Sequence, residues 1–118
     1  MIAAKGILLA LAVFCLPRPV FPGESGAGAL EPCIVLYEDG KYAEAQDSLK
    51  ALLPRLKKES EIAECYKYIA FTAVMLDMIE AAKKNFKEAL LKYPEMTLDT
   101  VSVSPNIVVV FNQVKTER

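Results

Sequence analysis

The chain has 118 residues, a length that fits one domain, and a net charge of −1 from 14 basic and 15 acidic side chains. That near-balance creates no single-sign field and argues against a general nucleic-acid binder, whose affinity rests on neutralised phosphates. Histidine is absent, which removes Cys–His and Ser–His nucleophile pairs, histidine metal sites and haem attachment.

Lys5 precedes the apolar run Gly6–Leu16. A short positive start followed by such a run reads as a secretory signal peptide. The run is well short of the ~20 residues that span a bilayer, which favours a cleaved leader over an anchor. Pro17, Pro19 and Pro22 end any helix there, and small residues cluster over Gly23–Ala29. Cleavage after Ser25, Ala27 or Ala29 leaves small residues where the peptidase reads. Residues 1–25 are therefore assigned to the leader, and the remainder to the periplasm or the exterior. Phe14 stands before Cys15 where a lipoprotein signal needs a small residue. No membrane insertion is expected after cleavage, and no basic amphipathic stripe suggests a membrane surface. About 90 residues remain, enough to bury roughly 60–65% of the unfolded surface.

Gly26–Leu30 reads as a flexible linker and the folded domain as residues 31–116. A short first helix opens at Glu31-Pro32, proline suiting a first helical turn, and stops at Asp39-Gly40. Lys41–Leu53 is a second helix, with Tyr42, Ala45, Leu49, Leu52 and Leu53 on one face. Pro54 kinks or ends it. Arg55–Ser60 reads as a connection. Glu61–Leu76 forms a third helix facing inward through Ala63, Tyr66, Ile69, Ala70, Ala73 and Leu76. Phe71, Val74 and Met75 lie off that face, so this helix is apolar nearly all round, a mark of burial or of an interaction surface. After a turn at Asp77-Met78, Glu80–Tyr93 forms a fourth helix. It turns Ala82, Phe86, Ala89 and Leu90 inward and Lys83, Lys84, Lys87 and Lys92 outward, with Glu80 and Lys84 spaced as an ion pair. Val101–Val103 and Ile107–Phe111 are β-branched, but Ser104-Pro105 is a helix start. Pro105–Thr116 is read as a fifth helix.

The spacing inside the third and fourth helices is informative. Tyr66, Ile69, Ala70 and Ala73 are followed by Ala82, Phe86, Ala89 and Pro94. These residues over Ala63–Pro94 resemble one tetratricopeptide hairpin, with Asp77 where that family often has glycine. Gly40, Tyr42, Ala45 and Leu49 resemble a degenerate preceding repeat. Leu36–Val114 as a whole is similar to a recurrent type of small bacterial exported protein that ends in a Val-Ser-Pro segment and an apolar helix. Here these are Val103-Ser104-Pro105 with Ile107 and Phe111. The expected fold is all-α: an antiparallel helical hairpin array of about two such repeats, closed by a C-terminal capping helix.

The resemblance implies that the first helix of each hairpin lines a concave groove for an extended peptide or a partner helix. The positions it carries over are Ile34, Tyr37, Glu64, Lys67, Phe71 and Val74, with Phe71 as the anchor because aromatics dominate such contacts. The alternative is that Phe71 and Val74 are covered by the C-terminal helix. Cys33 and Cys65 fall on the first helices of successive hairpins, where a disulfide and two unpaired core thiols are both admissible. Glu59/Glu61 and Asp77/Glu80 read as solvated faces or helix starts rather than acid–base pairs. No phosphate-binding glycine loop is present, and no metal or other cofactor is expected. The chain is thus expected to be a non-enzymatic, exported protein–protein interaction module, an adaptor or scaffold in a cell-envelope assembly. Its partner would be an unidentified protein or peptide. The alternative is a structural subunit stabilised by self-association as a homo-oligomer or within a larger complex.

Overall fold

A computed structural model describes residues 26–117, and the leader assigned to residues 1–25 lies outside them. The described chain is all-α. Its helices are α1 (Gly26–Glu38), α2 (Tyr42–Leu52), α3 (Glu59–Met75), α4 (Ile79–Lys92) and α5 (Pro105–Glu117). The stretch 26–30, expected to be a linker, is instead the start of α1, and Leu30 is buried. Pro32 therefore sits inside the helix rather than in its first turn. It withholds one ladder bond from the Gly28 carbonyl, and its own side chain is exposed. Burial of Leu30 and Cys33 offsets that loss.

Both hairpin turns are built the same way. After α1, the Gly40 N–H donates to the Tyr37 carbonyl at 3.0 Å and the Lys41 N–H to the Leu36 carbonyl at 2.9 Å. After α3, the Asp77 N–H donates to the Val74 carbonyl at 3.0 Å and the Met78 N–H to the Ala73 carbonyl at 2.7 Å. Each pair is a Schellman closure with one left-handed residue, Gly40 at φ 83° and Asp77 at φ 63°. The turns are short, so α1/α2 and α3/α4 run antiparallel.

Pro54 ends α2 by converting its last turn to a 3₁₀ turn, Leu53–Arg55. The α3 helix then begins two residues earlier than expected, with Glu59 and Glu61 in its first turn, where the helix dipole favours carboxylates. The expected Glu80–Lys84 pair is not formed. Lys92 lies 3.6 Å from Glu59 instead, joining the end of α4 to the start of α3. Val101–Val103 and Ile107–Phe111 form no strand. At the start of α5, Ser104 contributes its carbonyl, which accepts from Ile107 and Val108.

Each helix packs on its chain neighbour. In addition α1 lies against α3, and α3 against α5. Ala45, Ala63, Ala70, Ala73, Ala82 and Ala89 are all buried, and their small size lets the backbones approach. The core divides into two clusters. One joins α1, α2 and one side of α3 through Leu30, Cys33, Leu49, Leu52, Leu56, Cys65 and Ile69. The other joins α3, α4 and α5 around Phe71, Phe86, Ile107 and Phe111. The α5 helix caps the second hairpin as expected: Phe111 meets Phe86 edge-on, ring centres 5.2 Å apart. Lys115 donates to the Met96 carbonyl at 3.2 Å and ties the connecting loop to α5. A buried side-chain pair crosses between hairpins. The Gln46 Nε2 donates to the Thr72 hydroxyl at 3.2 Å, and that hydroxyl donates to the Ile69 carbonyl at 2.7 Å.

Candidate functional site

The richest surface is where α1 lies beside α3. Tyr37 sits near the C-terminal end of α1, and Tyr42 opens α2 just past the turn. Their ring centres are 5.7 Å apart. Tyr37 also meets Tyr68 and Phe71 of α3, each at 5.7 Å. Tyr68 and Phe71 are three residues apart on one helical face, with ring centres 5.1 Å apart in an edge-on arrangement. Phe71 then contacts Phe86 at 6.0 Å. A continuous row of rings thus runs from the half-buried tyrosines into the second core cluster. Such offset and tilted pairs add attraction beyond the area they bury.

The tyrosines are apolar supports with polar tips. Tyr37, Tyr42 and Tyr68 are half-buried, and their hydroxyls make no hydrogen bond to the described residues. Burial, helped by neighbouring Tyr42, Tyr68 and Glu38, pushes the Tyr37 hydroxyl up to about 12. Burial also raises Tyr68, with further contributions from Glu64, Glu38 and Glu31. Glu64 receives Lys67 in a 2.9 Å ion pair. The same ammonium stands 5.0 Å from the Tyr68 ring centre and 5.8 Å from that of Phe71.

Of the expected contact residues, Ile34, Tyr37, Glu64 and Lys67 are brought to this face and are partly accessible. Phe71 and Val74 are buried, 3% and 8% exposed. The rings against Phe71 are Tyr37 of α1, Tyr68 of its own helix and Phe86 of α4, and it shares its buried cluster with Ile107, Val110, Phe111 and Val114 of α5. Tyr68 and Tyr42 were missed by spacing alone. Tyr68 lies four residues after Glu64 and three before Phe71, and that periodicity was the available signal.

Cys33 and Cys65 are free, buried thiols, so the bridge admitted from the sequence is not formed. Cys65 donates to the Leu49 carbonyl at 3.3 Å, and Cys33 faces the Ala29 carbonyl at 3.8 Å. Burial first, then the nearby Cys33, pushes the Cys65 thiol up to about 12. Both behave as small core side chains, with no thiolate for nucleophilic attack near neutral pH.

Concavities also occur among the described residues. One of about 440 Å³ lies along Val109, Asn112, Gln113, Thr116 and Glu117, the outer face of α5. Another, of about 340 Å³, lies between the Gly40–Glu44 turn and Leu76. Among the described residues, no group of His, Cys, Asp and Glu side chains is arranged to hold a metal. No described helix is long and apolar enough to cross a membrane. Neither a family model nor a curated protein nor a solved structure matches this chain.

Proposed function

We propose that this chain is an exported, non-enzymatic protein–protein interaction module of tetratricopeptide-like build, which holds a partner on the tyrosine face of α1 and α3. The observation that carries this reading is the set of half-buried tyrosines 37, 42 and 68, contiguous across three helices with hydroxyls free to bond a visitor. Aromatic side chains with one apolar and one wet end are the side chains most enriched at protein interfaces. The tetratricopeptide-like spacing of Ala63–Pro94, together with α1 lying against α3, supports the comparison with a repeat groove. The anchor role moves from Phe71 to Tyr37 and Tyr68.

A photo-crosslinking amino acid in place of Tyr68, introduced in native cells, tests the reading. A discrete adduct from position 68, absent from the same probe at exposed Lys87 on α4, is the expected result. No adduct at 68, or the same adduct from both positions, refutes it. A second reading, a structural subunit that self-associates, is favoured by the outer face of α5, where Val109 is 54% exposed beside the larger concavity. Light scattering of the processed chain separates the two: a stable monomer supports the module, and a concentration-independent oligomer supports the subunit.

A further inference from the structure

We infer that the tyrosine face takes cationic side chains, so that its partner presents a Lys- or Arg-bearing segment. This rests on the interaction reading above and adds the chemistry of the visitor. Three features of the face converge on it.

The rings already hold a cation. Lys67 lies 5.0 Å from the Tyr68 ring centre and 5.8 Å from that of Phe71, both within the ~6 Å range over which a ring quadrupole attracts an ammonium. An ammonium thus fits against these rings, here supplied from the same helix, while Tyr37, Tyr42 and Tyr68 stay partly accessible.

The carboxylates outnumber the cations. Glu64 lies one helical turn before Tyr68 and pairs with Lys67, and after burial the charges of Glu64, Glu38 and Glu31 all raise the Tyr68 hydroxyl. Glu31 and Glu38 are exposed and have no ion-pair partner among the described residues. They leave a local excess of negative charge beside apolar rings, where an arriving guanidinium or ammonium is only partly solvated and the attraction is stronger than in open water.

Lys67 and, next to Tyr42, exposed Lys41 are the lysines near the face, and three other exposed lysines lie on α4. Lys84, Lys87 and Lys92 are exposed on α4, the second helix of its hairpin, which contributes no accessible side chain to the tyrosine set. A basic segment is steered toward the tyrosines and away from α4, whereas an acidic segment meets Glu31 and Glu38 and is repelled. Planar guanidinium suits the site best, because it stacks on a ring and donates to a carboxylate or phenol oxygen at once.

The test uses the processed chain and three labelled peptides of one length: one with alternating arginine and glycine, the same peptide with citrulline for arginine, and the same with glutamate. Citrulline keeps the planar shape and removes the charge. Fluorescence anisotropy should show the arginine peptide binding at least about tenfold more tightly than the citrulline peptide, with affinity falling as salt is raised. The double variant Glu31→Gln/Glu38→Gln should lose most of that preference. Tyr68→Phe should keep it and Tyr68→Leu should lose it, since the ring rather than the hydroxyl faces the cation. Equal binding of the citrulline or glutamate peptide overturns the inference while leaving the interaction module intact. So does full affinity in the Glu31→Gln/Glu38→Gln variant. Salt-sensitive self-association abolished by Lys84→Ala/Lys87→Ala overturns it in favour of a second copy of this chain. Failure of the Tyr68 crosslink overturns the module itself and is read independently of the peptides.

Discussion

The two Schellman turns form a controlled pair, and exchanging their left-handed residues measures one backbone cost twice. Gly40 has φ 83° and Asp77 has φ 63°. A Cβ added at Gly40 meets nothing within 4 Å, so Gly40→Asp costs only what an L-residue pays for the left-handed region. That cost is about 1–2 kcal/mol for an ordinary residue and less for aspartate, whose side chain tolerates this conformation. Glycine's greater freedom in the unfolded chain gives part of it back. Gly40→Asp should therefore destabilise by about 0.5–1 kcal/mol, and Asp77→Gly should stabilise by a similar amount. In a domain of this size that is about 3–6 °C in Tm in each direction. Thermal melts followed by far-UV circular dichroism read both, and the double exchange should return the melting point nearly to its starting value; any shortfall measures coupling across the concavity between the Gly40–Glu44 turn and Leu76. If Asp77→Gly lowers Tm, the Asp77 side chain does something beyond tolerating the turn, and the equivalence of the two closures is refuted.

Four further outcomes follow from the packing. Thr72→Val strands the Gln46 amide, 7% exposed, and should cost about 1–3 kcal/mol. Adding Gln46→Met should recover most of it, and strictly additive urea midpoints would show that the pair is not coupled. Phe71→Asp removes a ring that touches three others and buries a carboxylate, so loss of helicity is expected rather than a folded protein that merely fails to bind. A folded Phe71→Asp variant would show that the ring is peripheral. Tyr37 and Cys65 ionise near 12 in the folded chain against ordinary values of 10.0 and 9.0. The unfolded chain therefore releases these protons first: stability is intact below pH 9 and falls between pH 9 and 12. Urea midpoints across that window test it, and a flat profile contradicts the burial of both groups. Cys33 and Cys65 should resist a thiol reagent until the chain unfolds, and prompt labelling of either would place it at the surface.

The helices were readable because the residues that close a helix or permit a crossing act locally. Gly40, Pro54, Asp77, Pro94 and Ser104-Pro105 each change what the backbone does at their own position. Ala70, Ala82 and Ala89 reveal by spacing alone where two helices meet. The start of α1 was misread for the complementary reason. The run Gly26–Ala29 has weak helix propensity of its own, and what holds it is the burial of Leu30 and Cys33 against α2 and α3, a tertiary effect. The fate of Phe71 was hidden in the same way. Its periodic position is equally compatible with an open groove or a covered one, and only the arrival of Tyr37 from a helix far away in sequence decides between them. The carboxylates that add to burial in raising the Tyr68 hydroxyl likewise come from two helices, Glu31 and Glu38 from α1 and Glu64 from α3, and no single stretch of sequence displays all three.

The division of the core into two clusters has a consequence for how the tyrosine face behaves in time. Tyr68 packs against both clusters, whereas Tyr37 reaches it from α1. A sub-global opening that releases α1 and α2 therefore leaves α3, α4 and α5 around their own core but separates the rings and carboxylates of the face. The face exists only while the first hairpin is docked, and its occupancy is linked to that docking equilibrium. A visitor that bridges α1 and α3 should slow amide exchange chiefly in α1 and α2, by the free energy it contributes to the closed form. Substitutions in the first cluster, such as Leu49→Ala, should weaken binding without touching the visitor at all.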